Sequence, residues 1–169
     1  MNRRNFLTGL VLCGGALLLG RAAGAEDFIT GNVIKKKKEK FPFELSDEEW
    51  RARLTPEQYE VMREEGTERT CSSPLHKEKR AGTYHCAGCG APLFLSHHKF
   101  ISKSGWPSFY QPVSKDAIGS STDFSLVLPR TEIHCATCGS HLGHVFDDGP
   151  PPTGRRYCIN GLSLIFVPD

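Results

Sequence analysis

The chain has no surplus of one charge sign, no apolar run long enough to cross a bilayer, and no internal repeat beyond one doubled cysteine motif. Its 21 Lys and Arg stand against 19 Asp and Glu. The small positive balance belongs to the first 25 residues. Without Arg3, Arg4 and Arg21, 18 basic side chains face 19 acidic ones and the net charge becomes −1. Nucleic-acid recognition would call for a clustered basic face; the basic run Lys35-Lys36-Lys37-Lys38 reads as a solvated stretch. The apolar stretch from Leu7 to Leu19 falls short of the ~20 residues a spanning helix needs. What is left is one domain with room for a real core.

Arg3-Arg4 ahead of Phe6-Leu7, with the small-x-small site Ala23-Gly24-Ala25, resembles a twin-arginine export signal. The sequence therefore predicts a cleaved leader over residues 1–25, a flexible tether over residues 26–45 and a folded domain over residues 46–169. Export to the periplasm, with no stable membrane insertion after cleavage, is the expectation. An uncleaved leader acting as a membrane anchor is the alternative. Such export carries folded proteins, so a metal could be loaded before oxidation threatens its thiol ligands.

Ser46 with Glu49 opens a capping box, and Thr55-Pro56-Glu57-Gln58 opens a second helix in the same way. Tyr59 and Met62 should face the core, and Gly66 should end that helix. From Gly82 onward the pattern is short strands broken by Gly, Pro and Ser. Phe124, Leu126 and Leu128 are expected to share one sheet face, as are Leu162, Leu164 and Phe166. Pro150-Pro151-Pro152 reads as a rigid connector. The expected fold is mainly β: two short N-terminal helices followed by a mostly antiparallel β domain.

Seven cysteines divide unevenly. Cys13 lies in the leader. Four form two copies of one pattern, Cys86-Ala87-Gly88-Cys89-Gly90 and Cys135-Ala136-Thr137-Cys138-Gly139. Two such knuckles present the four thiolates that tetrahedral zinc needs, and the following glycines permit the tight turns. With Cys86, Cys89, Cys135 and Cys138 all as ligands, no position is open to water, so one structural Zn2+ per chain is expected. A dithiol redox motif would instead sit at a helix N-terminus.

Cys71 and Cys158 remain. Two-residue periodicity puts Arg156, Cys158 and Asn160 on one strand face, with Tyr157 and Ile159 on the other. A cation beside a thiol favours the thiolate, which predicts a reactive, low-pKa Cys158. His141 and His144 offer two imidazoles that a four-cysteine metal site does not use. Trp106, in the rigid turn Gly105-Trp106-Pro107-Ser108-Phe109, could wall a small pocket.

Four blocks carry a resemblance to a known family. They are Thr83-Tyr84-His85-Cys86-x-x-Cys89-Gly90-x-Pro92-Leu93-Phe94, Gly105-Trp106-Pro107-Ser108-Phe109, His141-Leu142-Gly143-His144-Val145-Phe146 and Gly154-x-Arg156-Tyr157-Cys158-Ile159-Asn160. In this order they resemble the B-type methionine-R-sulfoxide reductases, from about Ser46 to Phe166. The resemblance implies the family fold, two antiparallel sheets with short N-terminal helices and a structural zinc knuckle pair. It also implies reduction of the R epimer of methionine sulfoxide in peptides and proteins, with a thioredoxin-like reductant. By matching position, Cys158 would be the nucleophile, and His144 with His141 would bind and polarise the sulfoxide. Asn160 would orient the oxygen, Trp106 would pack on the substrate methyl, and Arg156 would line the site.

Many members carry a recycling cysteine where this chain has Ser104, and a hydroxyl cannot form that disulfide. Cys71 matches an alternative placement of the recycling thiol. The implied cycle is attack by Cys158, a sulfenic acid, a Cys71–Cys158 disulfide, and reopening by a dithiol protein. The competing readings are a zinc-knuckle binding module without chemistry, and an oxidoreductase that uses the knuckle cysteines themselves. A monomer that binds no nucleic acid is expected.

Overall fold

The computed structural model describes residues 40–126 and 128–169. The leader, and the tether up to residue 39, lie outside the described residues.

Two short helices come first, α1 (Asp47–Arg53) and α2 (Pro56–Arg63). Both begin in complete capping boxes, Ser46 with Glu49 and Thr55 with Gln58, which satisfy backbone donors that a helix start leaves free. Tyr59 and Met62 are buried as the periodicity requires. The end of α2 departs from expectation. The left-handed residue is Glu65, with φ 58°, and Gly66 is needed for a different reason. Its N–H bonds Glu60 O at 3.0 Å, and a Cβ there would stand 2.9 Å from that oxygen.

Among the described residues nine strands follow: β1 (Gly82–Cys86), β2 (Pro92–Leu95), β3 (Lys99–Phe100), β4 (Ser108–Phe109), β5 (Ile118–Asp123), β6 (Arg130–Cys135), β7 (His141–Phe146), β8 (Arg156–Ile159) and β9 (Leu164–Pro168). They form a three-stranded sheet, β2-β1-β9, and a six-stranded sheet, β3-β4-β8-β7-β6-β5. Every described pairing is antiparallel. The last two strands go to different sheets, so β9 ties the C-terminus to β1.

The core lies where the sheets face each other. Phe94 stacks on Phe109 with centroids 4.4 Å apart, and Tyr84 meets Phe109 edge-on at 4.9 Å. Such aromatic pairs combine large burial with favourable ring geometry. Leu93, Ile133, Leu142, Tyr157 and Ile159 complete this layer.

Two sequence expectations are corrected here. β5 ends at Asp123 and β6 begins at Arg130, and Phe124 and Leu128, which lie between them, are each 75 % exposed. Their alternation reflects a loop with outward apolar tips rather than a strand. Leu162 sits in a 3-10 turn (Gly161–Ser163) ahead of β9, so only Leu164 and Phe166 share the inward face. The packed chain also starts earlier than Ser46. Phe43 N–H bonds Thr137 O at 2.9 Å, and the Phe41 ring meets His134 edge-on at 5.7 Å. Residues 41–45 are therefore docked on the second knuckle rather than part of a flexible tether.

Candidate active site and metal centre

Both knuckles lie in β-turns between strands, the first joining β1 to β2 and the second joining β6 to β7. They are built alike. Gly90 N–H bonds Cys86 O and Gly139 N–H bonds Cys135 O, each at 2.8 Å, with φ of 80° and 69° at the two glycines. The Sγ atoms of Cys86, Cys89, Cys135 and Cys138 all lie within 4.8 Å of one another. Cys86–Cys138 and Cys89–Cys135 are each separated by 3.7 Å. A zinc tetrahedron with Zn–S near 2.3 Å has sulfur–sulfur edges of about 3.8 Å, so the donor set fits that ion. The helices clamp this centre. Arg53 donates to Gly88 O at 2.5 Å and Arg63 to Cys138 O at 3.3 Å.

The second group of reactive side chains occupies a single rung of the six-stranded sheet. Reading across the strands by register, Phe100 faces Ser108, Ser108 faces Cys158, Cys158 faces His144, His144 faces Glu132 and Glu132 faces Ser121. Residues directly opposite on paired strands point to the same side. One face of the sheet thus carries a thiol, an imidazole, a carboxylate and two hydroxyls, while Tyr157 and Ile159 fill the core on the other. The alternation expected for β8 is what places Cys158 there.

His141 joins this face by a local irregularity. Three positions from His144, it would point the opposite way in a regular strand. The ladder between β6 and β7 slips, however: one step from Ile133 to His134 is answered by two steps from Gly143 to His141. This bulge turns His141 beside His144, with ring centroids 5.5 Å apart.

Each histidine is held by a carboxylate. His144 Nε2 lies 2.8 Å from Asp123 Oδ2, and His141 Nδ1 lies 2.8 Å from Glu132 Oε1. Asp123 also accepts the Ser125 N–H and an Arg130 N–H. These bonds, the Ser125 amide first, hold its carboxyl well below the usual carboxylate range against the pull of burial. Burial pushes the His144 imidazole down, against the opposing Asp123 bond. The resting state is therefore a neutral His144 whose Nε2–H donates to an ionised Asp123, which leaves Nδ1 as an acceptor. Among the described residues, Nε2 of His141 is buried and meets no hydrogen-bond partner.

Burial also governs Cys158, and pushes its thiol above the ordinary range. Ser104 and Arg156 oppose that push without overcoming it. The expected low-pKa thiol is thus corrected: Arg156 is adjacent, but it is paired by two 2.9 Å bonds to Asp148. Its guanidinium also lies over the Phe146 ring at 4.4 Å.

Asn160 does not extend the Cys158 face. Its Oδ1 accepts the Glu68 N–H at 3.1 Å and its amide donates to Leu142 O at 3.2 Å, so its polar atoms tie backbone segments together. Glu68, buried, accepts the N–H groups of Gly161 and Leu162 at 2.7 and 2.9 Å. Trp106 donates its indole N–H to Glu68 O at 3.3 Å, which fixes the ring. The segment holding Glu68 leads to Cys71, exposed and in a left-handed conformation, with φ 60°. Cys71 N–H bonds Gly105 O at 3.0 Å, and Thr70 Oγ1 donates to Ser104 O at 3.1 Å. Ser104 Oγ in turn lies 3.8 Å from Cys158 Sγ. Cys71 therefore borders the turn that touches Cys158.

Asp123, Glu132, Glu68 and Ser104 were not singled out as site residues by sequence. For Glu132 a signal existed: a carboxylate inside the strand Arg130-Thr131-Glu132-Ile133-His134-Cys135. A cavity of about 1080 Å³ lies elsewhere, lined by Gln58, Glu68, Arg69, Leu162 and Phe166 among others.

Fold and site together define a β protein with a four-sulfur metal centre and a separate thiol–imidazole site. Comparison with known proteins specifies this further. The SelR domain model matches residues 54–168. The peptide methionine sulfoxide reductase MsrB of Pseudomonas putida (strain W619) is 58% identical over 121 residues, covering 72% of this chain and 91% of that protein. The protein of the same name from Agrobacterium fabrum is 54% identical over 123 residues, covering 73% and 91%. That from the archaeon Methanosarcina barkeri is 55% identical over 123 residues, covering 73% and 87%. The chain belongs to the SelR-domain family, the MsrB methionine sulfoxide reductases.

Proposed function

We propose that this chain is an oxidoreductase that reduces the R epimer of methionine sulfoxide in peptides and proteins, with Cys158 as its nucleophile. The observation that carries this reading is the rung in which Cys158 lies opposite His144. The resting groups, a protonated thiol and a neutral imidazole with a free acceptor nitrogen, suit the proton balance of the reaction. Cys158 loses a proton and the sulfoxide oxygen must gain one before it can leave the methionine sulfur. His144 takes the first and delivers the second, held in its tautomer by Asp123. The Cys158 sulfur attacks, the oxygen passes to it, and methionine departs. One thiol and one sulfoxide become one sulfenic acid and one thioether.

His141, with an unpartnered buried nitrogen, helps hold the oxygen, while Trp106 walls the methyl group and sets the epimer. Arg156 favours the thiolate as it forms. Asn160 acts through position, by joining the Cys71 segment to the end of β8. Cys71 then condenses with the sulfenic acid and releases water, and a thioredoxin-like dithiol reopens the disulfide. The proximity of Cys71 to the Ser104–Gly105 turn supports it as the recycling thiol. The four-sulfur centre holds one structural Zn2+ per chain and takes no part in the chemistry. The acting unit in this reading is the monomer.

The test is a single turnover on each epimer of a methionine sulfoxide peptide, followed by mass analysis of the protein. Consumption of the R epimer alone, with a Cys71–Cys158 disulfide formed, is the expected result. No reaction of either epimer with reduced, zinc-loaded protein would sink the reading. Cys71→Ser is expected to release one methionine per chain and then stall with a thioredoxin-type donor. Sustained turnover by that variant would remove Cys71 from the cycle.

We also propose that residues 1–25 direct twin-arginine export to the periplasm, which would leave a domain loaded with zinc before it meets oxidising conditions. Replacing Arg3 and Arg4 by Lys should keep the protein out of the periplasmic fraction. Unchanged periplasmic yield would count against this route.

A further inference from the structure

Cys158 Sγ has a hydroxyl beside it, Ser104 Oγ at 3.8 Å. Ser104 belongs to a chain of three serines. Ser102 Oγ lies 2.8 Å from Ser104 Oγ and 2.7 Å from Ser108 Oγ, and Ser108 donates to Trp106 O at 3.1 Å. Two amides feed the same chain: Ser104 N–H donates to Ser102 Oγ at 3.3 Å and Trp106 N–H to Ser104 Oγ at 3.4 Å.

Counting protons resolves the direction of these bonds, because each hydroxyl has one to give. That of Ser108 goes to the Trp106 carbonyl. The contact between Ser102 and Ser108 must then use the Ser102 proton, so Ser102 has none left for Ser104. The Ser104 proton then makes the contact with Ser102 Oγ, and it has a second acceptor in reach, Cys158 Sγ. A neutral thiol is a weak acceptor, whereas an anionic sulfur attracts a charge-assisted bond.

We infer that Ser104 is a further catalytic residue, whose hydroxyl proton turns from Ser102 to the Cys158 sulfur as negative charge forms there. This rests on Cys158 being the nucleophile. The other groups facing that sulfur are Arg156 on its own strand, His144 from β7 and Ser108 from β4. Arg156 is shared with Asp148, and the Ser108 proton is already placed. Of the two serines set against this sulfur, Ser104 is the one whose hydroxyl makes a hydrogen-bond contact with it, at 3.8 Å. In this chain position 104 cannot recycle the sulfenic acid through a disulfide, and it supports thiolate formation instead.

The test compares Ser104→Ala and Ser104→Thr with the parent, as full-length zinc-loaded proteins. Iodoacetamide labelling of Cys158 is followed against pH by peptide mass analysis, beside the first-turnover rate on the R-epimer peptide. Ser104→Ala should move the labelling midpoint to higher pH, and both rates at a fixed, mildly alkaline pH should fall about tenfold. KM should change little, and Ser104→Thr, which keeps the hydroxyl, should recover most of the loss. An unmoved midpoint and first-turnover rate in Ser104→Ala overturn the inference, and so does equal loss in Ser104→Thr. In either case an inactive Cys158→Ser leaves the functional reading intact. Faster labelling in Ser104→Ala also overturns it, since the serine would then only shield the thiol.

Discussion

Cys135→Ser is expected to leave no cooperatively folded domain. The physical reason is where the knuckles sit. Cys86 and Cys89 belong to the connection of β1 to β2 in the small sheet, Cys135 and Cys138 to that of β6 to β7 in the large one. A bound ion therefore staples the two sheets together at their ends. Structural zinc contributes on the order of 10 kcal/mol, comparable with the about 5–15 kcal/mol that holds a whole domain folded. Losing one ligand also strands Cys86 and Cys138, both buried, without their charge partner. The same strands carry Glu132, His141 and His144, so activity should vanish with the fold. Metal content by mass spectrometry and thermal melting followed by circular dichroism check this. A soluble Cys135→Ser protein that melts cooperatively would show that the packed aromatic layer suffices alone.

The metal centre was legible because its chemistry is local. Two cysteines separated by two residues and followed by glycine form the same turn wherever they occur, and only the meeting of the two knuckles needs the fold. The capping boxes at Ser46 and Thr55 were legible for the same reason. The alternation of β8 was enough to place Cys158 opposite the core. Other features depend on relations between strands. His141 and His144 share a face only because β7 bulges against β6, and no pattern within His141-Leu142-Gly143-His144 announces that slip. Asp123 and Glu132 become partners of the histidines through register, across strands up to 21 positions apart in sequence.

Two readings failed for different reasons. Arg156 two residues from Cys158 suggested a depressed thiol pKa, but burial outweighs a cation that is already shared with Asp148. Phe124, Leu126 and Leu128 alternate as a strand would, yet the alternation lies beyond the point where β5 ends at Asp123. Ser104 shows the opposite case. In sequence it marks a missing thiol; in the fold its hydroxyl lies 3.8 Å from the reacting sulfur.

Cys158→Ser is expected to abolish methionine formation completely while leaving the fold intact. The substitution changes one atom at a half-buried position, with Ser104 and Ser108 still beside it, so stability should move by less than about 1 kcal/mol. Chemistry, by contrast, has no slow route left. A serine hydroxyl is a weak nucleophile without an activating base, and His144 could in principle serve as one. Even so, the oxygen leaving the sulfoxide must end on the attacking atom. On sulfur it gives a sulfenic acid, a stable first step of oxidation; on a serine oxygen it would give a peroxide, far uphill from a sulfoxide. The defect therefore differs in kind from those of its neighbours. Cys71→Ser should complete one turnover and stop, Ser104→Ala should complete many slowly, and Cys158→Ser should complete none. Methionine released per chain in the first turnover separates the three. Any methionine from Cys158→Ser would move the nucleophile to another thiol, with Cys71, exposed beside the same turn, the first to examine.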